Sequence, residues 1–297
     1  MRAQFDRNAL PYGRFFKGVR AIFTTLKKLL VALILIPTVA IAVLWARAYS
    51  PADSEHASVN CGEYAPPWES GNTLKVMSYN VQYMASKNYI FFYDVDVDDA
   101  ERVAAVHATG KNLASKPSRE HVFWTLDRVA ELIEKEDPDI VLLQEINGAD
   151  DSRTHYTDHT GELLERLPAD RYPCRSDTSY WKAEFIFHPD VLGPVNMQLL
   201  TLSKYRIEKS IRHQLPRKAN NFLVRPFDFQ RALLETHIAT DDDQSVALIN
   251  THYEAWGAGT GIMEKQVART QALLNSLDAE NTPWVLGGDL NLLPPDN

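Results

Sequence analysis

Hydrophobic and polar positions divide the chain into three regimes. From Leu29 to Trp45 seventeen consecutive residues, LLVALILIPTVAIAVLW, carry no charge, with Lys27 and Lys28 before them and Arg47 shortly after. As a helix this run spans about 25 Å at ~1.5 Å per residue, close enough to a ~30 Å hydrocarbon core for tilt and local thinning to close the gap. Pro37 near its middle breaks a soluble helix but is tolerated in a spanning one. Residues 47–73 have no apolar period and are rich in Pro, Ser, Gly, Asn and Asp, so they read as a linker. From Leu74 onward short β-branched runs alternate with helical patterns, which predicts an α/β body over residues 74–297.

Within the body the clearest strands are Leu74–Tyr79, Ile140–Leu143, Phe185–His188, Ala232–Thr236, Val246–Asn250 and Trp284–Gly287. A helix from about Ser118 to Glu136 aligns Val122, Leu126, Val129 and Ile133 on one face. A second, from about Gly261 to Leu277, aligns Met263, Val267, Thr270, Leu274 and Leu277. Such stripes are core faces. The aromatic stretch Asn88–Asp99 reads equally as an edge strand or a surface loop, and Asp241–Asp243 as a turn.

Charge adds an orientation. Residues 1–50 carry eight basic side chains against the single Asp6, a balance of +7, so with a net charge of −8 the remainder sums to −15. The basic segment 1–28 before the apolar run 29–46 predicts a cytoplasmic N-terminus, with everything after about residue 48 exported to the periplasm or the cell exterior. The run is either a retained single-pass anchor or a signal segment cleaved after Ala48, since Ala46-Arg47-Ala48 has the small-x-small form of a cleavage site; cleavage would release the body as a secreted protein. An acidic body disfavours loose coating of DNA. It does not exclude phosphate chemistry, because acidic side chains can hold divalent metals that reverse the local sign. Export permits a disulfide between the only two cysteines, Cys61 and Cys174, although spacing does not decide whether they bond.

Polar side chains follow directly on the apolar strands: Ser78-Tyr79-Asn80, Gln144-Glu145, Asn250-Thr251-His252 and Gly287-Gly288-Asp289-Leu290-Asn291. Strand ends are where layered α/β folds bind ligands. Glu145, Asn80 and Asp289 are hard oxygen donors suited to Mg²⁺ or Mn²⁺. His252 could donate to a phosphate oxygen, and Asp289 could orient or deprotonate a water. Plainer readings stand beside these: a turn residue at Asn80, a satisfied core histidine at His252, a cap or tight turn at Asp289 and Asn291. His155 and His159, four apart, lie in loop-like sequence that argues against a metal role. The basic stretch Lys204–Arg225 reads as a solvated loop with some chance of touching an anionic substrate, and Arg231 as a strand cap.

The segments SYN (78–80), LLQEI (142–146), LLTLSKYRI (199–207), NTHY (250–253) and GDLN (288–291), in this order, resemble the endonuclease/exonuclease/phosphatase superfamily of DNase I-like phosphoesterases. The resemblance covers about residues 72–297. It implies a four-layer sandwich of two mixed β-sheets flanked by helices, here preceded by an N-terminal transmembrane helix. It further implies Glu145 as principal metal ligand, Asn80 helping to place the metal or its water, His252 on the scissile phosphate, Asp289 activating the nucleophilic water, and Asn291 stabilising charge developing on phosphorus. The expected activity is divalent-metal-dependent phosphodiester hydrolysis, with nucleic acid, a phospholipid headgroup or a small phosphodiester as substrate. The superfamily's later Ser-Asp-His element has no counterpart after Asn291. The expectation is therefore a chain truncated at its C-terminus, or alternatively a non-catalytic binding module on the same scaffold.

Overall fold

The computed structural model describes residues 12–297 apart from 88, 92–99, 111, 115, 219–220, 222–223, 256, 258 and 293–297. The chain divides into two units, Met1–Arg47 and Ala48–Asn297. In the first, α1 (Tyr12–Ala46) is helical through Pro37. Its stretch Ile22–Ala46, with mean hydropathy 2.7, is long and apolar enough to cross a membrane. Pro37 removes the backbone donor that would serve the Leu33 carbonyl, and one residue on the Thr38 hydroxyl donates to the carbonyl of Ile34 at 2.8 Å.

The second unit is built on two five-stranded mixed sheets. One has the order β1 (Ser54–His56), β9 (Ile207–Gln214), β10 (Ala232–Ala239), β11 (Ser245–His252), β12 (Trp284–Asp289). The other has the order β2 (Ser58–Cys61), β7 (Cys174–Ile186), β8 (Gly193–Ser203), β6 (Ile140–Asn147), β3 (Val76–Asn80). Each sheet ends in a parallel pair, β11 with β12 and β6 with β3; all its other pairings are antiparallel. A small parallel pair, β4 (Tyr89–Phe91) with β5 (Asn112–Ala114), stands apart. It settles part of the ambiguous aromatic stretch as strand; residues 88 and 92–99 of that stretch lie outside the described residues.

The sheets pack face to face through Ile140, Leu142, Ile207, Ile238 and Leu248 at one end and Tyr180, Leu199, Ala232 and Leu234 toward the other. Strand β7 shows why: Cys174, Ser176, Thr178 and Tyr180 alternate inward and are buried, while the residues between them are partly exposed, the period of a strand with one core face. Helix α3 (Arg119–Glu136) covers the outer face of the second sheet with Val122, Leu126, Val129 and Ile133, as their spacing predicts, joined by α4 (His159–Arg166) through Leu163. Ser118 caps α3, its hydroxyl accepting from the His121 backbone N–H at 3.2 Å. A further helix, α2 (Ala100–Ala108), precedes β5.

Helix α5 (Ile262–Ala279) covers the other sheet, but its buried face is turned from the expected stripe. Ile262, Gln266, Thr270, Leu273 and Leu277 are buried while Val267 is 39% exposed. The reason is Gln266: its side chain accepts from the backbone of Glu254 and donates to the carbonyl of Pro216, drawing a polar position into the interior to satisfy two loops.

Two more expectations change. Residues 54–61, read as linker, form β1 and β2, one at the edge of each sheet, and Cys61 is disulfide-bonded to Cys174 directly across the β2–β7 ladder. The basic stretch from Lys204 is not one solvated loop either. Lys204 pairs with Asp137 and Asp139 at 2.6 and 3.1 Å, residues 207–214 are β9, and Arg212 is buried with donors on the carbonyls of Ser179 and Gln230. The strand expected over Phe185–His188 is the tail of β7, which ends at Ile186.

Candidate active site

Four strand ends meet at one end of the sandwich. Strands β3, β6, β11 and β12 carry Asn80, Glu145, His252 and Asp289 at or near their C-termini, and the parallel pairings β3–β6 and β11–β12 bring their ends level. What locks the two sheets together just below is an amide pair: the Gln144 amide donates to Asn250 Oδ1 at 2.7 Å, and the Asn250 amide donates to the carbonyls of Leu143 and Leu200, each at 3.0 Å. All of these groups are buried and satisfied, the condition under which a buried polar network specifies one arrangement.

Glu145 is delivered by a β-bulge. The β6–β8 register shifts between Leu143 and Ile146, and Glu145 takes φ 63°. Left-handed backbone at a non-glycine residue costs on the order of 1 kcal/mol and persists where the surroundings over-determine it. Here the bulge keeps Leu143 and Ile146 in the core while Glu145 turns toward the strand ends. Gln82, Tyr83 and Met84, directly after β3, also have positive φ. Opposite them Gly287 and Gly288 let β12 approach. A Cβ on Gly287 would lie 2.7 Å from the Leu142 side chain, and one on Gly288, at φ 146°, 2.2 Å from the Thr251 carbonyl oxygen.

Asn80 is the hub. Its amide nitrogen donates to Glu145 Oε1 at 3.0 Å and to Asp289 Oδ2 at 2.8 Å, while its oxygen accepts from the backbone N–H of Gln82 at 2.9 Å. The last bond fixes the amide's orientation, so Asn80 bridges two carboxylates and keeps its oxygen turned away from them. His252, its side chain 4% exposed, sits beside both, with Nδ1 3.8 Å from Glu145 Oε1 and Nε2 3.6 Å from Asp289 Oδ2. The Tyr180 hydroxyl lies 3.1 Å from His252 Nδ1. Burial holds that phenol well above its ordinary pKa, so it keeps its proton, and with His252 Nδ1 as the one hydrogen-bond partner of its hydroxyl among the described residues it donates there. His252 therefore accepts at Nδ1 and carries its proton at Nε2, facing Asp289. Burial, reinforced by the charge of Arg231, holds the imidazole well below its usual pKa and hence neutral.

Asn291 completes the group from the β12 side. Its amide donates to the Tyr253 carbonyl at 3.0 Å and its backbone N–H to Asp289 Oδ1 at 3.0 Å, leaving one amide hydrogen for a ligand. A cavity of about 440 Å³ opens here, with Ser78, Asn80, Gln144, Gly288, Asp289 and Asn291 among its walls. Glu145 and His252 do not line it. The five residues singled out from the sequence are thus gathered at one place: Asn80, Glu145, Asp289 and Asn291 are joined by hydrogen bonds, and His252 lies against two of them at 3.6 and 3.8 Å. His155 and His159 are not: His155 Nε2 pairs with the Pro117 carbonyl, and His159 Nδ1 accepts from the Asn147 backbone. Burial drives His159 down to about 3, which fits a neutral core residue.

The donor set suits a hard divalent cation. Glu145 and Asp289 share one amide, and no lysine or arginine ion-pairs with either among the described residues. Burial raises the pKa of Glu145 above its ordinary value; the Asn80 hydrogen bond and the charges of Arg231 and Arg153 oppose this, and Asp289 adds to it. A carboxylate so placed is stabilised by an added positive charge. Among the described residues there is no ready cluster of three His, Cys, Asp or Glu ligands; Mg²⁺, which keeps several waters and takes one or two carboxylates, does not need one.

Sequence reasoning missed Tyr180 and underrated Arg231. Tyr180 is one of four inward positions of β7, and alternation alone does not tell a site residue from a core one. Arg231, 4% exposed, lies against Tyr180 and Phe229.

The profile of the endonuclease/exonuclease/phosphatase family matches residues 122–297. A search of curated proteins gives no match. Among solved structures, an endonuclease/exonuclease/phosphatase from Beutenbergia cavernae DSM 12333 is 21% identical with a TM-score of 0.50, the match covering 75% of this chain and 49% of that one. The human Nocturnin catalytic domain with bound sulfate is 18% identical with a TM-score of 0.44, covering 80% and 69% respectively. ANGEL2, a 2′,3′-cyclic phosphatase, is 14% identical with a TM-score of 0.45, covering 81% and 57%. The chain spans about half the length of the first of these.

Proposed function

Because the chain belongs to the endonuclease/exonuclease/phosphatase family, we propose that it is a divalent-metal-dependent phosphodiester hydrolase, working on the non-cytoplasmic side of a membrane. The observation that carries this reading is the Asn80 bridge, which sets Glu145 and Asp289 side by side with a neutral His252 against both.

In this reading Glu145 would hold Mg²⁺ or Mn²⁺, with Asn80 fixing the carboxylate that does so. The ion, when bound, would supply Lewis acidity and neutralise phosphate charge. Asp289 accepts a proton from the attacking water, whose oxygen bonds to phosphorus as the ester P–O bond breaks and the alcohol leaves, its oxygen taking a proton from solvent. His252 donates from Nε2 to a phosphoryl oxygen, an orientation that Tyr180 holds from the other side of the ring. Asn291 offers its remaining amide hydrogen to the charge that grows on the phosphoryl group.

Substrates compatible with this chemistry are nucleic acid, a phospholipid headgroup or a small phosphodiester. The apolar N-terminal helix and the basic residues before it favour a membrane-held protein with its catalytic unit exported, and the Cys61–Cys174 bond favours an oxidising compartment. The test is release of nitrophenol from bis-p-nitrophenyl phosphate with Mg²⁺ or Mn²⁺, followed by sphingomyelin, single-stranded DNA and inositol phosphates compared side by side. Hydrolysis abolished by EDTA and cut at least ~10²-fold by Asp289→Asn supports the reading. Metal-independent hydrolysis, or none, refutes it.

A further inference from the structure

Three arginines are buried in the body, and one of them lacks acceptors. Arg153 is held by Asp151 at 2.6 Å and reaches Asn147, and Arg212 donates to Ser179, Gln214 and Gln230, with only its Nη1 buried without a partner among the described residues. Arg231, 4% exposed, has its Nε and Nη1 buried without a hydrogen-bond partner among the described residues. Nor is its side chain needed to cap a strand, because the backbone carbonyl already accepts from Leu215 N–H and the Gln214 amide, each at 2.9 Å.

What fixes the guanidinium is aromatic. Its central carbon stands 4.3 Å from the ring centroid of Phe229 and 5.1 Å from that of Tyr180. Tyr180 in turn bonds His252, and the Arg231 charge is felt at Glu145, His252 and Tyr180. Cation–π contact positions a guanidinium but satisfies none of its in-plane donors. A buried cation left with free donors is destabilising in the free protein. Such a group is retained to advantage where a ligand supplies the missing acceptors, and a planar fork of N–H donors matches the oxygens of a phosphoryl group.

Resting on the reading that this site takes a phosphoester, we propose that Arg231 is the anion receptor of the site, its Nε and Nη1 donating to non-bridging oxygens of the substrate phosphoryl group next to His252. The guanidinium is held in place before the ligand arrives, but its Nε and Nη1 are sealed from solvent, so the groups covering them must part for a phosphoryl oxygen to reach them. It also makes an anionic phosphoryl oxygen the feature by which substrates are selected, in place of the base, sugar or acyl chain attached to it.

The experiment is calorimetric titration of inorganic phosphate, with Mg²⁺ present, into the parent chain and into Arg231→Met, Arg231→Lys and Arg231→Ala, with a thermal melt of each. The expected result is at least a tenfold loss of phosphate affinity in Arg231→Met, with a melting temperature equal to or above that of the parent. Arg231→Lys, which keeps the charge without the fork, falls between, and millimolar guanidine restores phosphate binding to Arg231→Ala. Undiminished phosphate binding in Arg231→Met, no phosphate binding by the parent chain, or losses that merely follow falling melting temperatures overturn the proposal. A parent chain that binds phosphate through Arg231 yet cleaves no ester refutes the hydrolase reading and leaves this one standing. A chain that cleaves ester with kinetics indifferent to Arg231→Met does the reverse.

Discussion

The hydroxyl of Tyr180, from the middle of β7, donates to Nδ1 of His252, from the end of β11, across the gap between the two sheets at 3.1 Å. One bond thereby chooses the imidazole tautomer and the direction in which Nε2–H points. Tyr180→Phe keeps the ring, its packing and its edge-on contact with His252, and removes only that choice. The expected outcome is a ~10–100-fold fall in kcat on bis-p-nitrophenyl phosphate, the scale of losing a group that orients another, with KM little changed and about 1 kcal/mol of stability lost. Steady-state kinetics and urea unfolding of the one variant check both halves.

The Gln144–Asn250 amide pair is expected to behave as a unit of stability. Truncating either residue leaves buried donors or carbonyls unmatched. Each of Gln144→Ala and Asn250→Ala is expected to cost about 2–4 kcal/mol, and the double variant less than their sum. Urea midpoints for the four proteins give the coupling directly; strict additivity would show that the two amides do not act together.

Glu235 governs an acid limit to stability. Burial on its own would raise this carboxyl, but hydrogen bonds from His213 and His237, each at 2.5 Å, outweigh that and bring it down to about 2 from 4.5. Arg269 of α5 approaches the far nitrogen of His213, and Ser245 that of His237. A depressed carboxyl stabilises the fold fully above its unfolded pKa and loses that contribution as pH falls through the folded one. The contribution, on the order of 3 kcal/mol, is therefore present above about pH 4.5 and disappears toward pH 2. The stability gap between the parent chain and Glu235→Gln is expected to be fully open at pH 6 and to shrink as pH falls below 4.5, as measured by urea midpoints from pH 6 downward.

Reduction of Cys61–Cys174 is expected to lower stability by roughly 4–5 kcal/mol from the loop entropy of its 113-residue separation. It also leaves β2 held to β7 by its backbone ladder alone. Melting curves with and without reductant, alongside Cys61→Ser, measure the effect.

The parts of this architecture legible from sequence are those set by local periodicity. The α3 stripe repeats at helical spacing and buries as expected, and the strands leading to Asn80, Glu145, His252 and Asp289 are apolar runs that end in polar residues. Strands β1 and β2 carry no sequence signal because they are three and four residues long and almost wholly exposed; edge pairing with β9 and β7, not side-chain burial, makes them strands. The turn of α5 away from its stripe comes from Gln266, whose partners lie in loops 12 and 50 residues away. Motif order could name the candidate site residues but not their wiring. That Asn80 faces two carboxylates with its nitrogen depends on one backbone N–H at Gln82, and that Arg231 lacks acceptors is a property of everything packed around it.

The central claim is that side chains far apart in sequence act as one catalytic group, and a double-mutant cycle in kcat/KM between Glu145→Ala and His252→Ala tests it most directly. Each single variant is expected to lose at least ~10²-fold on bis-p-nitrophenyl phosphate, with the double variant scarcely slower than the worse single, as for residues that work as a unit. Near-parental activity in either single variant, or losses that multiply in the double, would contradict it.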